Sequence, residues 1–200
     1  NAVCCLGVCY ECGVGTEKNL EHAVALYHKA AKYGSPRAQM LLARAYYTGR
    51  GTAEDREKSM FWLKSAAYQR YGDAMHRLGV CYEYGDGVQQ DWTRAARWFR
   101  EAAEDGVGAA MTDIGYCYER GYGVEQDWKQ AVSWYRKAAA AGQSVGMTNL
   151  GWCFESGQGI RQSWERAVYW YRRAAELDDT RAMGNLAWCY DNGKGLEKDS

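Results

Sequence analysis

Glycine pairs separated by one residue are the first feature of this 200-residue sequence that suggests chemistry. Glycine-rich loops can wrap a phosphate group with backbone N–H donors, but that use requires a preceding strand and a third glycine. Both are missing here, and the pair recurs every 36 residues. The six pairs are Gly13/Gly15, Gly49/Gly51, Gly85/Gly87, Gly121/Gly123, Gly157/Gly159 and Gly193/Gly195. We therefore predict that they form structural turns and not a nucleotide site.

Side chains that carry out catalysis are not grouped in this sequence. The three histidines, His22, His28 and His76, do not cluster with a nucleophile and an orienting acid. The sequence contains no HExxH or GxSxG motif, and no paired carboxylates stand out from the acids that the repeat imposes. The sequence predicts that the chain is not an enzyme and needs no cofactor.

Most of the cysteines share one position of the 36-residue repeat. They are Cys9, Cys81, Cys117, Cys153 and Cys189. Equivalent positions on stacked helices lie about 8–10 Å apart, beyond the ~7 Å Cα limit of a disulfide. We predict that they are small core residues in a reducing, cytoplasmic compartment. A secretory or periplasmic location stays open, because the chain lacks an initiator methionine and its N-terminus looks truncated.

A second group of cysteines near the N-terminus raises the question of a metal. Cys5, Cys9 and Cys12 share one helix face, with Cys4 adjacent. Zinc usually takes four ligands from two chain segments, which a single helix turn rarely supplies. The sequence therefore predicts a cysteine-rich core layer and no metal site.

Each 36-residue repeat is predicted to contain two helices. In the third repeat Ala74, Leu78 and Tyr82 are four residues apart, so they share one face of a helix. The turn at 85–87 ends this helix, and Asp91 caps the next one. The second helix carries a wide apolar stripe formed by Ala95, Trp98, Phe99, Ala102 and Ala103. The capping position holds Asn19, Asp55, Asp127, Ser163 and Asp199 in the other repeats.

The recurring pattern, Ala-x3-Leu-Gly-x2-Tyr-x2-Gly-x-Gly-Val-x2-Asp-x3-Ala-x2-Trp-Tyr-x2-Ala-Ala, resembles the Sel1-like repeat family along the whole chain. Tetratricopeptide repeats are related, but they have 34 residues and lack the paired-glycine turn. The resemblance implies an all-α fold: a right-handed α/α superhelix, or solenoid, whose first helices line a concave groove. We expect one repeat domain over 1–200, with repeats at 2–37, 38–73, 74–109, 110–145, 146–181 and, in part, 182–200.

Charge and hydropathy narrow the class of partner. Lys plus Arg and Asp plus Glu both number 25, so no net field attracts nucleic acid. No apolar run approaches the ~20 residues of a membrane span. We expect a protein or peptide partner, as the family resemblance implies, with no nucleic acid and no membrane insertion. RNA binding through the arginine-rich second helices is the weaker alternative.

The nine tryptophans fall into three groups. Four are predicted to lie in the core stripe: Trp62, Trp98, Trp134 and Trp170. Three follow the capping residue and are predicted to cover the turn between helices: Trp92, Trp128 and Trp164. The remaining two, Trp152 and Trp188, share with Tyr116 and Arg44 a first-helix position outside the core stripe. The resemblance places this position in the groove.

Two rows of groove residues follow from this register. Tyr116, Trp152 and Trp188 would form an aromatic row that anchors an extended or helical segment, or would instead pack against the next repeat. Beside them we expect a row of acids interrupted by Tyr47: Glu11, Glu83, Glu119, Glu155 and Asp191. These carboxylates would attract Lys or Arg of a peptide, or would bond the backbone of the glycine turn. By register His76, Tyr84 and Arg120 also face the groove.

The two ends of the sequence lack the polar capping units with which solenoids normally finish. Ala2, Val3 and Leu6 open the array, and Ser200 stops it where a second helix should begin. We expect either a fragment of a longer array or ends that stack on another chain, which predicts end-to-end self-association.

Overall fold

The computed structural model describes residues 2–195, and this part of the chain is helical throughout, with turns between the helices and no strand. The all-helical prediction is thus confirmed. The eleven helices are α1 (Ala2–Cys12), α2 (Leu20–Lys32), α3 (Pro36–Thr48), α4 (Arg56–Tyr68), α5 (Gly72–Tyr84), α6 (Trp92–Glu104), α7 (Gly108–Arg120), α8 (Trp128–Ala140), α9 (Ser144–Ser156), α10 (Trp164–Ala175) and α11 (Thr180–Asp191).

The helices form two compact units, Asn1–Asp91 and Trp92–Ser200. In the first unit α1 packs on α2, α2 on α3, α3 on α4 and α4 on α5. The second unit is built in the same way from α6 to α11. Contacts between sequence neighbours are the arrangement expected of a repeat array, in which each element buries its apolar face against the next one.

Side chains at the predicted capping position begin the second helices. Asn19, Asp55, Asp127 and Ser163 each accept a hydrogen bond from a backbone N–H group in the first turn of the helix, over 2.9, 2.9, 2.8 and 3.3 Å. These bonds satisfy N–H groups that have no partner within the helix. The prediction is confirmed at these four positions, whereas Asp199 lies outside the described residues.

The core consists of small residues packed around large rings. Tyr135, Tyr171 and Phe99 are fully buried among the paired alanines of the second helices. Four of the five cysteines in the shared repeat position, Cys81, Cys117, Cys153 and Cys189, are buried as predicted. Cys9 is only half-buried.

The tryptophans of the core stripe are less buried than predicted. Trp134 is buried, with 7% of its surface exposed, but Trp62, Trp98 and Trp170 are only partly buried. The position lies at the edge of the stripe, so a ring this large extends to the surface. At Trp134 the ammonium group of Lys137 lies 3.8 Å from the ring centroid, which is a cation–π contact.

The paired glycines form the turns between the helices of a repeat. The first glycine ends the first helix in the left-handed conformation, as Gly49 does with a φ of 66°. The second approaches the preceding repeat so closely that a Cβ atom on Gly51 would overlap the carbonyl oxygen of Leu20. An added Cβ atom would likewise overlap a backbone carbonyl group at three other turns: Trp92 at Gly123, Trp128 at Gly159 and Trp164 at Gly195. The pairs are therefore structural, as predicted.

Candidate partner-binding surface

The aromatic residues predicted for the groove are partly exposed in the second unit. Tyr116 on α7, Trp152 on α9 and Trp188 on α11 expose 37, 39 and 47% of their surface. Their equivalent positions in successive repeats put one large ring on each first helix. Rings this exposed contribute less to the core than a buried ring does, and they are accessible to a partner.

Each of the two tryptophans packs backwards, onto the repeat before it. The Trp152 and Trp128 ring centroids are 5.6 Å apart, and those of Trp188 and Trp164 are 5.8 Å apart. The planes are inclined by 36° and 29°. The sequence analysis considered packing of Trp152 and Trp188 against the next repeat, and it predicted that Trp128 and Trp164 cover the turn between helices. In the structure Trp152 and Trp188 pack against the preceding repeat instead, while Trp128 and Trp164 lie against the first helix and the glycine turn of the following repeat.

A tyrosine in the glycine turn completes the equivalent contact at the start of the unit. Tyr122 stands between Gly121 and Gly123, and its ring centroid is 4.5 Å from that of Trp92 and 5.9 Å from that of Tyr116. The two tryptophan pairs and this cluster of three rings are together called the aromatic row from here on. Its members are Trp92, Tyr116, Tyr122, Trp128, Trp152, Trp164 and Trp188. The sequence analysis missed Tyr122, whose only signal is its place inside the turn.

The carboxylates predicted for the groove wall are bonded within the repeat. Glu119 accepts a hydrogen bond of 2.8 Å from the Tyr135 hydroxyl, and Glu155 accepts one of 2.6 Å from the Tyr171 hydroxyl. Each tyrosine lies on the second helix of the repeat, sixteen residues after its acid. The same pairing occurs in the first unit, where the Tyr27 hydroxyl donates to Glu11 over 2.6 Å.

The sequence analysis left open whether these acids attract basic side chains or bond the glycine turn, and at Glu11, Glu119 and Glu155 the structure shows a third partner, the tyrosine. In the turn after α9, Gly157 N–H donates to Cys153 O over 2.9 Å and Gln158 N–H donates to Ser156 Oγ over 3.4 Å. The Glu119 and Glu155 carboxylates, near the ends of their helices, thus turn inward to the phenols. Glu119 is nearly buried, with 9% of its surface exposed.

Burial and the paired acids keep the core phenols protonated. Burial raises the pKa of Tyr135 well above its ordinary value, and the nearby charge of Glu119 raises it further. Burial and the hydrogen bond to Glu155 raise the pKa of Tyr171 in the same way. Burial, followed by the charge of Glu119, raises the pKa of the Cys153 thiol to about 12. The phenols thus remain donors, and the thiol remains a neutral core residue.

Arg120 and Asp191 are the other groove residues that the sequence predicts in the second unit. Arg120 Nε lies 3.2 Å from Glu119 Oε1, and its guanidinium carbon lies 5.5 Å from the Tyr116 ring centroid. Asp191 is exposed. Arg120 therefore links the carboxylate to the aromatic row.

The predicted groove residues of the first unit form contacts of a different kind. Arg44 Nη2 lies 2.7 Å from Glu11 Oε1, and the guanidinium carbon of Arg56 lies 3.8 Å from the centroid of the Tyr47 ring. Tyr84 is mostly exposed, at 73% of its surface. His76 and Glu83 are half-buried.

The described residues offer binding groups rather than an arrangement of reactive ones. Within residues 2–195 no group of three or more His, Cys, Asp or Glu side chains could hold a metal ion. None of the eleven helices in this range has the length and apolar character of a membrane span. The chemistry on this surface is that of aromatic faces, guanidinium groups and carboxylates.

Comparison with known proteins identifies the repeat. The Sel1 repeat family matches residues 4–35, 36–71, 72–107, 108–143, 144–179 and 180–200. The fold is similar to that of a Sel1 repeat protein from Oxalobacter formigenes, with 35% identity and a TM-score of 0.89 over 99% of this chain and 79% of that one. A comparison with curated protein sequences finds no match.

Two further solved structures are similar to this chain. One is a protective antigen present in uropathogenic Escherichia coli strains that displays an SLR fold, with 33% identity and a TM-score of 0.89. That similarity covers 96% of this chain, which spans 41% of the length of the antigen. The other is Helicobacter pylori cysteine rich protein B, with 27% identity and a TM-score of 0.52 over 62% of this chain and 94% of that one.

Proposed function

The chain belongs to the Sel1 repeat family, and we propose that it is a protein-interaction scaffold whose partner docks on the aromatic row of the second unit. Sel1 repeat proteins are generally scaffolds that bind proteins, and the family is non-catalytic. The observation that carries the proposal is the partial exposure of Tyr116, Trp152 and Trp188 at the same position of three successive repeats.

The packing of the row supports a role in binding. Trp152 and Trp188 are each held by a second tryptophan at 5.6 and 5.8 Å, so they lose little conformational freedom when a partner covers them. Tryptophan and tyrosine are also the residues that most often dominate the energy of an interface. An extended or helical segment can meet such a row because it presents side chains at regular intervals.

Recognition is assigned to the rings and not to the acids of the same helices. Glu119 and Glu155 already accept hydrogen bonds from buried tyrosines, which reduces their capacity to bind a basic side chain. Charged groups beside the row can adjust specificity: the Arg120 guanidinium lies 5.5 Å from the Tyr116 ring, and the Lys194 ammonium lies 5.5 Å from the Trp164 ring. Asp191 is an exposed acid on the same helix as Trp188.

A peptide-display selection tests the proposal. Peptides selected on the wild-type protein are expected to lose most of their affinity for a Trp152→Ala/Trp188→Ala variant. The matched control is Tyr33→Ala/Tyr169→Ala, which removes two exposed rings outside the row. Equal retention of the selected peptides by the two variants, with melting temperatures preserved, would exclude the aromatic row as the docking surface.

Two further properties are part of the proposal. We place the protein in a reducing compartment, because four cysteines of the shared position are buried core residues and are not paired in disulfides.

End-to-end self-association is a second candidate property, and it predicts a molecular mass that rises with concentration in light scattering. A constant monomer mass would remove it without affecting the docking proposal.

A further inference from the structure

The first unit contains a cavity of about 360 Å³ between α3, α4 and α5. Met40, Met60 and Leu63 contribute to its apolar lining, together with Ala43 and Cys81. Arg44, Arg56 and Arg77 also line it, with Tyr47 and Asp86. A volume above about 300 Å³ with an apolar lining and a few polar groups is typical of a ligand site.

The first repeat shows why this cavity exists. The equivalent space between α1, α2 and α3 is lined by Glu11 and Tyr27 and has a volume of only 40 Å³. There the Tyr27 ring fills the space and its hydroxyl bonds Glu11. In the second repeat Leu63 stands in the tyrosine position and Tyr47 in the acid position. The shorter leucine does not replace the aromatic ring, and the carboxylate that would receive its hydroxyl is gone. The second repeat also has Ala43 where the first has Gly7, so a methyl group stands on the side of the cavity that the Tyr27 ring covers.

A looser contact with the next turn enlarges the same space. At Gly51, Gly123, Gly159 and Gly195 an added Cβ would overlap a backbone carbonyl of the preceding repeat. At Gly87 the nearest atom to such a Cβ is Met60 Cε at 3.1 Å, the end of a flexible side chain. The turn after α5 therefore does not close against the start of α4 as the other turns do, and Gly87 and Met60 both line the cavity.

The polar lining carries an excess of positive charge. Three arginines face one lining acid, Asp86, whose carboxylate lies 3.8 Å from Arg56 and 3.8 Å from Arg77. These contacts are long for charge-assisted hydrogen bonds, which measure about 2.7–2.9 Å. Arg44 and Arg56 also bond Glu11 and Glu54, which lie outside the lining. An incoming carboxylate can bond the guanidinium N–H groups that these acids leave free, since each arginine has five.

We propose that this cavity binds an aromatic side chain carried by an acidic peptide segment. The aromatic ring would pack beside Leu63 and the two methionines of the lining, and the flanking carboxylates would bind Arg56 and Arg77. The proposal goes beyond the scaffold function above, because it concerns another unit and uses none of the residues of the aromatic row. It would hold even if that row bound nothing.

The probe is a fluorescently labelled peptide with the sequence acetyl-Asp-Glu-Phe-Glu-Asp-amide, followed by fluorescence anisotropy. We expect saturable binding to the wild-type protein, and at least about a tenfold loss when Ala replaces the Phe or Lys replaces the four acids. A peptide with a free C-terminus distinguishes a terminal carboxylate from the side-chain acids. Absence of saturable binding, or equal binding of the Lys peptide, would overturn the proposal.

The variant that tests the cavity copies the arrangement of the first repeat. Ala43→Gly/Leu63→Tyr/Tyr47→Glu fills the space with a ring, supplies its acceptor and removes the Cβ atom that the first repeat lacks at Gly7, so we expect loss of peptide binding with the helical content unchanged. An independent variant, Arg56→Gln/Arg77→Gln, should weaken binding by about tenfold. Its control, Arg136→Gln/Arg161→Gln, makes the same change in net charge at exposed positions elsewhere. Wild-type affinity in either cavity variant would contradict the assignment.

Discussion

The Tyr171 hydroxyl lies 2.6 Å from the Glu155 carboxylate, and this hydrogen bond joins the second helix of a repeat to its first helix. The phenol ring passes over Gly151, where a Cβ atom would lie 2.6 Å from the ring. Tyr27 and Tyr135 cross Gly7 and Gly115 in the same way, to Glu11 and Glu119. In these three repeats the glycine makes room for the ring, and the hydrogen bond between the tyrosine and the acid holds the second helix against the first.

Loss of the phenol hydroxyl should destabilise the fold. Tyr171→Phe keeps the ring but leaves the Glu155 carboxylate without this donor, so we expect a loss of about 1–3 kcal/mol in the free energy of unfolding. Urea unfolding measures it. Tyr169→Phe removes the hydroxyl of a half-exposed neighbour and should change stability by less than about 0.5 kcal/mol. Equal effects of the two substitutions would contradict the role of the pair.

Stability should fall at alkaline pH. In the folded protein burial holds the pKa of Cys153 at about 12, against an ordinary value of 9.0, and it raises the pKa of Tyr171 above an ordinary value of 10.0. From about pH 9 the unfolded chain loses protons that the folded chain keeps. The folded state is then the one that binds more protons, so the free energy of unfolding falls as pH rises, by at most about 1.4 kcal/mol per pH unit and group.

Urea unfolding between pH 8 and 11 checks this dependence. Cys153→Ala should flatten the decline that begins near pH 9, and Tyr171→Phe should flatten the part above pH 10. A free energy of unfolding that stays constant up to pH 11 in the wild type would show that these groups ionise in the folded protein as they do in the unfolded chain.

The close approach of neighbouring repeats should make one glycine far less replaceable than another. Gly159 and Gly142 have φ values of 68° and 79°, so alanine at either position adopts a left-handed conformation that costs about 1–2 kcal/mol. A Cβ atom on Gly142 meets nothing within 4 Å, whereas one on Gly159 overlaps the Trp128 carbonyl. We expect Gly159→Ala to lose a further 1–3 kcal/mol or so. Thermal and urea unfolding of the two variants compare them directly, and equal losses would mean that the contact contributes nothing.

The tryptophans of the aromatic row should contribute less to stability than the core tryptophan. Trp152→Ala removes a ring that is 39% exposed, so we expect a loss of about 1–2 kcal/mol in the free energy of unfolding. Trp134→Ala removes a ring that is 7% exposed, for which about 3–5 kcal/mol is expected. Urea unfolding of both variants decides the matter. A Trp152→Ala variant as unstable as Trp134→Ala would identify Trp152 as a core residue and remove it from the binding surface.

Much of the fold could be predicted because the same residue pattern occurs six times in the sequence. The periodicity of Ala74, Leu78 and Tyr82 indicates a helix by itself, and a residue such as Asp127 marks the start of the next one. The acid–tyrosine pair also had a signal, since Tyr27, Tyr135 and Tyr171 each follow an acid by sixteen residues. The acid and the tyrosine lie on different helices, however, so the periodicity of a single helix does not reveal their contact.

The candidate surfaces were less accessible to prediction from the sequence. The first-helix position of Trp152 was identified, but its contact with Trp128 depends on how one repeat lies on the next. The cavity beside Leu63 could not be foreseen, because a leucine at a core position is ordinary in any one repeat. The cavity forms only because the turn at Gly87 also does not pack against the backbone of the preceding repeat.

The sequence alone determined the repeat, its helices, their caps and the glycine turns, because these depend on local backbone preferences and on which face of each helix is apolar. Only the tertiary structure decided which partner each polar or aromatic side chain takes. Glu119 could have bonded a turn, a peptide or Tyr135, and the packing of two helices brought the phenol within 2.8 Å. These contacts depend on the distances between helices that are separate in the sequence, and local sequence patterns do not specify those distances.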